Sequence, residues 1–376
     1  MLSKLKSLFS VDQKQFRALP LVSLYQAGKP QWTPRNYAAQ AREGFMSNAI
    51  GYRCVRMIAE AASSVPLLVY QGVKEAETHP LLDILAKPNP SQTGRKLIEN
   101  IVLYLLLAGN SFIEVSSLDN TPRELMALRP DRIKVVPGLD GWPAHYEYSV
   151  YGSIAKLPAE NVLHIRMFNP LDDYYGQSPL EAAQRSIDTH NSACAWNKSM
   201  LDNAARPSGA LVFAASDEQL TAEQFERLKN ELETSYQGAA NAGRPMVLEG
   251  GLDWKEMGYS PKDMDFIAAK NSAAREIALA FGVPPMLLGI PGDNTYSNFT
   301  EANRTFWRQT VIPVLGKVTD AIGNFVGPQF GDDLKLSFDL DQVEALSHDH
   351  HALWARVNAA TFLSEDEKRA AVGYGK

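Results

Sequence analysis

The sequence predicts an α+β protein, in which a mixed first half is followed by two long helices around a small α/β insert. Three observations support this fold class. In the first half, helical apolar patterns alternate with short strand-like runs that end at Gly, Pro and Asp turns. Further along, Ser-Pro pairs at 178 and 260 each open a long helical pattern, and residues 207–259 lie between the two helices. The last third begins with another helix, which Pro313 is expected to kink.

The first half, residues 27–177, is predicted to alternate helices and strands with short connections. Its most apolar helix covers 93–108 and stops at Gly109-Asn110, a common helix-terminating pair. The other expected elements are, in order, a helix at 47–62, a strand at 66–70, a short helix opening at His79-Pro80, and strands at 111–115, 124–128, 133–137, 145–150 and 161–167.

The two long helices carry the clearest start signals in the chain. Ser178 is a predicted N-cap, followed by proline and then by Glu181 at the third helical position, which is a capping-box pattern. Ser260 is the predicted cap of the second helix, which runs to Phe281-Gly282. The first helix is expected to end at Arg206-Pro207. One of its seams is half polar, which is too weak for a dimeric coiled coil and suits sideways packing against similar helices; the seam consists of Leu180, Ile187, Cys194 and Leu201 with Ala183, His190, Asn197 and Ala204.

The polar stretch GIPGDNTYSNFT at 289–300 lies between the second long helix and the predicted kinked helix. A phosphate cradle, a glycosylation site, a lid over an active site and an exposed finger are the alternatives. The glycines lack the Gly-Lys-Ser/Thr of a nucleotide loop. Asn298, although it begins a sequon, is expected to cap the following helix, whose third position is Glu301. A strand at 334–340 and a helical tail at 342–372 complete the chain.

Composition limits the function. With 45% hydrophobic residues and a formal net charge of −6, the chain is an ordinary globular protein without the overall basic charge that grips phosphates. Cys54 and Cys194 are too few for a disulfide framework or a cysteine zinc site. The longest apolar run, 101–109, is too short to span a membrane. Residues 1–26 are expected to form a loosely ordered basic arm, with a membrane-surface helix as the alternative.

Candidate catalytic residues are few. On a helix, only His348 and His351 of the cluster 348–351 share a face, which leaves zinc without a third ligand. The pairs Asp172-Asp173 and Asp332-Asp333 have no neighbouring base and are expected to be turn residues. Nucleophile elbows, Walker loops, dinucleotide fingerprints and zinc-protease motifs are not found in the sequence. We therefore expect no enzymatic activity, no cofactor and no metal.

A series of segments resembles the portal protein family of tailed bacteriophages, in particular its HK97-like branch, which includes the portals of phage-like gene transfer agents. The segments occur in the family's order over about 260 residues of the chain. They are IAEAASSVPLLVY at 58–70, HPLLDILAKPNPSQT at 79–93, YLLLAGNSFIEV at 104–115, ELMALRPDRIKVV at 124–136, NVLHIRMFNPLDDYYGQSPLEAA at 161–183, AREIALAFGVPPMLLG at 274–289 and YSNFTEANRTFWRQTVIPVL at 296–315.

The resemblance implies a ring of twelve subunits at one vertex of the capsid of a virion assembled in the cytoplasm of a bacterial host. Such a head–tail connector is the channel for packaging and ejection of double-stranded DNA. Its implied partners are further copies of the chain, the large terminase, the head–tail adaptor and the major capsid protein, and no membrane. On the family's plan the chain divides into an arm at 1–26, a mixed α/β wing at 27–177, a stem helix at 178–206, a clip at 207–259, a second stem helix at 260–285, a tunnel loop at 286–298, a kinked tunnel helix with the rest of the wing at 299–341, and a short helical crown at 342–376.

The resemblance also assigns site residues. The tunnel loop points at DNA in the family, and its tip here is predicted to be Gly292, Asp293, Asn294, Thr295, Tyr296 and Ser297, with Asn294 and Tyr296 nearest the DNA. The clip residues expected to face terminase or adaptor are Glu223, Arg227 and Glu231. A hydrolase or nuclease that uses the acidic pairs, and a capsid-associated adaptor or scaffold that never contacts DNA, are the alternatives.

Overall fold

Helices of the first half and of the last third share one core, and the strands form four small antiparallel sheets. The computed structural model describes residues 30–72, 74–119, 121–202, 209–213, 221, 223–224, 226–227, 230, 252–256, 266–292 and 296–372. For 200, 201, 209–213, 252–256, 266, 296, 297 and 347–352 it describes the backbone only. Thr33 begins the compact unit to which all the elements below belong.

Eleven α-helices lie in the described ranges. They are α1 Tyr37–Gln40, α2 Ala49–Ser64, α3 Pro80–Ala86, α4 Gly94–Ala108, α5 Pro179–Ala182, α6 Gln184–Asp202, α7 Phe266–Ala280, α8 Tyr296–Phe306, α9 Ile312–Val326, α10 Ser347–Ala359 and α11 Glu365–Ala371. Two π-helical segments, Ala41–Met46 and Trp307–Val311, connect helices.

The strands of the described ranges are β1 Leu67–Gln71, β2 Lys74–Glu75, β3 Asn110–Leu118, β4 Thr121–Leu128, β5 Ile133–Pro137, β6 Pro143–Val150, β7 Ser153–Pro158, β8 Val162–Arg166, β9 Gly209–Phe213, β10 Leu252–Glu256 and β11 Leu334–Phe338. Their sheets have the orders β11-β1-β2, β4-β3-β8, β5-β6-β7 and β10-β9, and every pairing is antiparallel.

The main core forms because α2, α4 and α9 each bury one apolar stripe. In α2 the buried residues recur every three or four positions, as expected for a helix with one face in the core. Strand β11 joins β1 with Val69 opposite Leu336, and both residues are buried. The stripes consist of Cys54, Val55, Ile58 and Ala62 in α2, Leu97, Ile101 and Leu105 in α4, and Leu315, Val318, Ile322 and Val326 in α9.

A second, smaller core lies between the sheets β4-β3-β8 and β5-β6-β7. Phe112 is its largest fully buried side chain, and its ring contacts Tyr146 edge-on with centroids 5.9 Å apart. The remaining buried members are Leu128, Ile133, Val135 and Val162.

Two glycines bring the end of α4 against the loop that precedes α5. Gly109 ends α4 in the left-handed conformation, with φ 71°, and its carbonyl accepts a hydrogen bond of 2.8 Å from the Met167 amide. A Cβ on Gly176 would lie 2.2 Å from that same carbonyl oxygen. Neither position has room for a side chain, so the two backbones pack directly.

Most predicted elements of the first half are confirmed, including the stop at Gly109, and two strands were not predicted. Strand β2 has two residues, too few for any apolar alternation. Strand β7 pairs with β6 but is exposed at nearly every position. Without a buried face, its sequence carries no period-two apolar signal.

The prediction of one continuous first stem helix is wrong at its start. The Ser178 cap is confirmed, because its hydroxyl accepts a 3.0 Å hydrogen bond from the Glu181 amide. The ladder is then interrupted at Ala183, whose ψ of −5° separates α5 from α6. Leu180, Ala183 and Ile187 are still buried, so the apolar positions keep the predicted side of the helix. The expected end of this helix at 206 and the second predicted cap, Ser260, lie outside the described residues.

Asn298 is not an N-cap, which corrects the sequence prediction. Helix α8 begins at Tyr296, so Asn298 lies in its first turn. The kink expected at Pro313 stays a prediction; the π-helical segment Trp307–Val311 ends directly before α9, and Pro313 is the second residue of that helix. The tail is helical as predicted but divides into α10 and α11, where Ser364 and Glu367 form a reciprocal capping box.

Candidate functional site

The predicted tunnel loop follows a sharply defined helix end. Helix α7 stops at Ala280, and Gly282 turns the chain with φ 67°. The two prolines then lead into a 3₁₀ turn, Pro285–Leu288, which Gly289 ends with φ 70°. Two residues with positive φ thus redirect the chain within eight positions, and both are glycines, which adopt this conformation without steric cost.

The end of α7 is joined to the π-helical segment of the long helix that follows. The Thr310 hydroxyl donates a 2.6 Å hydrogen bond to the Gly282 carbonyl oxygen. A Cβ on Gly282 would lie 2.7 Å from that hydroxyl oxygen, so a side chain there would displace Thr310. The end of α7 is therefore fixed against the segment Trp307–Val311 by a polar contact.

The first part of the loop is anchored on α7. Ile290 is buried against Ala274 and Ala278, which lie one turn apart on α7. The guanidinium of Arg275 donates a hydrogen bond to the Pro291 carbonyl oxygen and lies against Gly292. Since residues i and i+4 share a helix face, the two alanines form a slot for Ile290, with Arg275 beside it.

The six predicted tip residues are only partly within the described ranges. Gly292 is exposed, and Asp293, Asn294 and Thr295 lie outside the described residues. Tyr296 and Ser297 belong to the first turn of α8 and not to a loop. The helical placement of these two residues differs from the prediction.

A buried polar cluster connects α6 with the start of α2. The Asn48 side-chain amide lies 3.2 Å from His190 Nδ1 and donates a 2.8 Å hydrogen bond to Asn191 Oδ1. Burial lowers the pKa of His190, with a smaller contribution from Lys270. His190, a polar position of the predicted seam, therefore contacts Asn48 of the same chain.

The outer side of α7 carries exposed apolar residues. Ile267 is 73% exposed and Leu279 is 79% exposed. They are twelve residues apart, which corresponds to a rotation of about 120° around the helix axis, so they lie on different parts of its exposed surface. Apolar side chains that a helix exposes to solvent are suited to packing against another protein chain.

The predicted clip is described in part. Strands β9 and β10 pair with Leu211 opposite Trp254. Glu223 and Arg227 are exposed and helical, and Glu231 lies outside the described residues; the partner-binding role stays a prediction.

Two loops of the first half present large apolar side chains to solvent. Turn 138–142 joins β5 to β6, and loop 167–176 follows β8. The Tyr174 hydroxyl donates a 3.0 Å hydrogen bond to the Gly141 carbonyl oxygen and joins the two. Four of their large apolar side chains are at least 70% exposed; they are Leu139, Trp142, Phe168 and Leu171.

Hydrogen bonds within these loops fix their shapes. The Gly138 amide donates to the Trp142 carbonyl oxygen at 2.6 Å. Asp172 Oδ1 accepts from the amides of Tyr174 and Tyr175 at 2.8 and 2.9 Å. This confirms the turn role predicted for Asp172, whose carboxylate already has two backbone donors.

The second acidic pair also lies in a turn. Asp333 has φ 58°, and its carbonyl oxygen accepts a 3.1 Å hydrogen bond from the Gly72 amide. Within the part of the chain that the structure describes, no group of three or more His, Cys, Asp or Glu residues could hold a metal ion. The side chains of the His348–His351 cluster lie outside that part. None of the described helices is long and apolar enough to cross a membrane.

Sequence reasoning missed the residues that hold the loop. Arg275, Thr310 and Ile290 act across 16, 28 and 12 to 16 residues of chain, which no short motif spans. The pair Ala274 and Ala278 was the available signal, since small residues one turn apart on a helix leave a slot for a neighbouring side chain.

The sequence profile of a family described as phage portal protein matches residues 49–373. Over 344 residues the chain is 44% identical to an uncharacterized protein of Rickettsia bellii (strain RML369-C), covering 89% of this chain and 88% of that relative.

Solved structures show the same fold. A chain in the neck of a native gene transfer agent particle, computed with C12 symmetry, is 49% identical and superposes with a TM-score of 0.71, covering 92% of this chain and 96% of the other. An HK97 family phage portal protein from Corynebacterium diphtheriae is 16% identical with a TM-score of 0.61, covering 84% of this chain and 99% of the other, and supports the fold alone.

Proposed function

Because this chain belongs to the phage portal protein family, as its sequence predicts, we propose that it forms a ring of twelve subunits at one capsid vertex. The ring would be the channel through which double-stranded DNA is packaged and ejected, in a virion or gene transfer agent particle. The C12 symmetry of the gene transfer agent neck that contains a 49% identical chain supports this number.

The observation that carries the proposal is the loop held at the junction of two long helices. Its base is anchored by Ile290 and Arg275, and the joint next to it by Thr310. Such an arrangement presents a short polar segment at a defined place without assembling a reactive group. The exposed Ile267 and Leu279 of α7 are proposed to contact neighbouring subunits on two sides of the helix.

The charge of the chain favours passage of DNA over binding. With a net charge of −6, the subunit as a whole repels phosphates. Lysine and arginine contacts would hold DNA through counterion release, and a channel must let DNA slide. The role proposed for the loop is contact without chemistry, so the ring itself acts without catalysis, cofactor or metal.

The proposed division of the chain follows the family plan with one change. The arm is 1–26, the wing 27–177 with 299–341, the stem 178–206 and 260–285, the clip 207–259 and the crown 342–376. The tunnel loop is proposed to begin at 286 and end at 295, because α8 starts at Tyr296. The clip, with Glu223, Arg227 and Glu231, is the surface proposed for the large terminase and the head–tail adaptor.

Replacement of Asp293, Asn294 and Thr295 by three glycines tests the channel proposal. We expect rings to form, because the anchored residues on both sides are unchanged, and the DNA content of purified particles to fall severalfold. Ring formation is measured as mass, since twelve chains of 41.5 kDa have a mass of about 500 kDa. DNA content is measured as nucleic acid per particle.

Tyr151→Gly is the matched control, because it removes an exposed turn side chain whose φ of 48° suits glycine. It should leave both ring mass and DNA content unchanged. Unchanged DNA content in the loop variant would refute the tunnel-loop assignment and favour an adaptor or scaffold without DNA contact. A chain that stays monomeric under all packaging salt conditions would refute the ring.

The turn 138–142 and the loop 167–176 are proposed to contact the major capsid protein around the ring. Their apolar side chains stand on hydrogen-bonded turns, so little conformational entropy would be lost on binding. The double substitution Leu139→Ser and Leu171→Ser should leave ring mass unchanged and lower the number of rings incorporated into particles by about tenfold, if the two side chains together contribute about 1.4 kcal/mol. The measurement is the ratio of this protein to shell protein in purified particles. Met46→Ser, at another exposed apolar position, is the control, and incorporation equal to that control would contradict the assignment.

A further inference from the structure

We propose that a small polar cavity beside the end of α4 is a binding site for a zwitterion of the α-amino-acid class. The cavity has a volume of about 200 Å³ and lies between α1, the junction of α4 with β3, the loop 167–176 and α5. Its polar lining includes Arg35, Gln40, Asn110, Tyr175 and Glu181. Binding there needs neither ring assembly nor DNA, so this site goes beyond the proposed function.

Gln40 is the buried polar residue of the cavity that lacks a partner. It is 7% exposed and lines the cavity, and its side-chain amide has no hydrogen-bond partner among the residues that the structure describes. A buried amide without a partner destabilises a folded chain, because it has given up its hydrogen bonds to water. A methionine of similar length would carry no such cost at this position. The glutamine therefore marks a place where a polar molecule is expected to bind.

The Tyr175 hydroxyl supplies a further hydrogen-bond donor to the cavity. Its oxygen accepts a 2.9 Å hydrogen bond from the Val135 amide, and its own hydrogen is not used by any described residue. Asn110 differs, because its Oδ1 accepts from the Gly176 amide and from His164. Its Nδ2 donates to two carbonyl oxygens. Tyr175 can therefore donate to a ligand, whereas Asn110 has no hydrogen-bonding position left and only forms the wall.

One charge of each sign borders the cavity. Arg35 is exposed and Glu181 is half-buried, and within the described ranges neither side chain has an ion-pair partner. A simple anion would meet the like charge of Glu181, and a simple amine that of Arg35. A molecule that carries a carboxylate and an ammonium group meets an opposite charge with each of them. The pair of charges therefore favours a zwitterion.

The volume of the cavity selects a small zwitterion. About 200 Å³ is the space of about seven water molecules at roughly 30 Å³ each. L-Serine has a comparable number of non-hydrogen atoms. In the proposed complex its carboxylate pairs with Arg35 and accepts from the Tyr175 hydroxyl, and its ammonium pairs with Glu181 and donates to Gln40 Oε1.

Equilibrium dialysis of radiolabelled L-serine against the purified full-length protein tests the site. We expect saturable binding in the millimolar range. Gln40→Met, Glu181→Gln and Arg35→Gln should each weaken it by about tenfold or more, because each removes a hydrogen bond to a charged group. 3-Hydroxypropanoate lacks the ammonium of serine and ethanolamine lacks its carboxylate, so each should bind the parent protein at least about tenfold more weakly.

Arg123→Gln and Glu124→Gln are the matched controls, because they neutralise exposed residues of β4 that do not line the cavity. Both should bind serine as the parent does. Urea unfolding is the second readout, and it separates a binding role of Gln40 from a structural one. Without serine, Gln40→Met should be at least as stable as the parent. Added serine should stabilise the parent and leave Gln40→Met unaffected.

Three results would overturn the proposal. The first is a parent protein that shows no saturable binding of serine at millimolar concentration. The second is a Gln40→Met variant that is less stable than the parent and binds serine equally well, which would make the glutamine a structural residue. The third is binding of ethanolamine or 3-hydroxypropanoate as tight as that of serine, which would exclude a zwitterion as the ligand.

Discussion

Gly176→Ala is expected to prevent the first half of the chain from folding, with a loss of stability of more than about 4 kcal/mol. The new methyl group would lie 2.2 Å from the Gly109 carbonyl oxygen and 2.6 Å from both the amide nitrogen and the carbonyl oxygen of Met167. All three atoms belong to the backbone and cannot move independently of α4 and β8. The substitution would therefore separate two elements that share the main core.

Two other glycines distinguish the effect of backbone strain from the effect of steric collision. At Gly152, with φ 83°, a Cβ would meet no atom within 4 Å, so Gly152→Ala should cost only the conformational strain of about 1 to 2 kcal/mol. At Gly109, with φ 71° and the Gly176 carbonyl oxygen 2.4 Å from a Cβ, strain and collision add. Soluble yield and urea unfolding of the purified variants measure the order of stability of the three alanine variants. A Gly176→Ala protein as stable as Gly152→Ala would show that this backbone contact is not formed.

The second large effect is a loss of folding stability at acidic pH. Burial lowers the pKa of His164 from its ordinary value of 6.5 to about 3, and the nearby Arg166 contributes in the same direction. The imidazole stacks on Phe112 with ring centroids 4.1 Å apart. A proton on His164 would place a charge inside this aromatic stack, next to a guanidinium.

The hydrogen bonds around Asn110 identify the proton that His164 carries. Asn110 Oδ1 accepts from the Gly176 amide at 2.8 Å, and Nδ2 donates to the Ala108 and Gly176 carbonyl oxygens. This fixes the orientation of the amide. His164 Nε2, 3.0 Å from the same Oδ1, must then be the donor, so the ring is neutral with its hydrogen on Nε2.

Below pH 6.5 the unfolded chain binds a proton at His164 that the folded chain does not bind. Stability is therefore fully present above pH 6.5 and falls as the pH decreases towards about 3, by about 1.4 kcal/mol for each pH unit. His164→Phe keeps an aromatic ring and removes this site. We expect urea unfolding between pH 7 and 4.5 to show a slope smaller by one proton in the variant.

A separate substitution controls for general acid sensitivity. Leu118→Ser changes an exposed side chain that carries no ionisable group. It should leave the slope between pH 7 and 4.5 close to that of the parent. Equal slopes in the parent and in His164→Phe would refute a neutral buried imidazole.

The elements that the sequence predicts well are those whose signal is local. Helix α4 has a complete apolar stripe and a glycine at its end, and Ser178 has its capping partner three residues away. Strand β7 could not be predicted, because it lies on a sheet with almost no buried side chain. The break at Ala183 depends on a dihedral angle of a residue that otherwise favours helix.

The candidate site was predictable in position but not in construction. The prolines and glycines around 282–292 indicate a turn region, and the resemblance assigns it as a loop. The contact of Arg275 with Pro291 is made by a side chain that would also be ordinary on an exposed helix face. The start of α8 at Tyr296 was missed because Asn298, a good capping residue, indicated a first helical residue at Phe299, three residues later.

The π-helical segment Trp307–Val311 changes the rotation of α8 about the helix axis relative to α9. A π-helical turn accommodates about one residue more than an α-helical turn, and each residue of an α-helix corresponds to about 100° of rotation. Without the π-helical turn, α8 would continue α9 as one α-helix. With it, every side chain of α8 is rotated by about 100° around the helix axis. The residues of α9 that face the core and the residues of α8 that face outward are therefore not tied to one helical repeat. Each set can change without shifting the other.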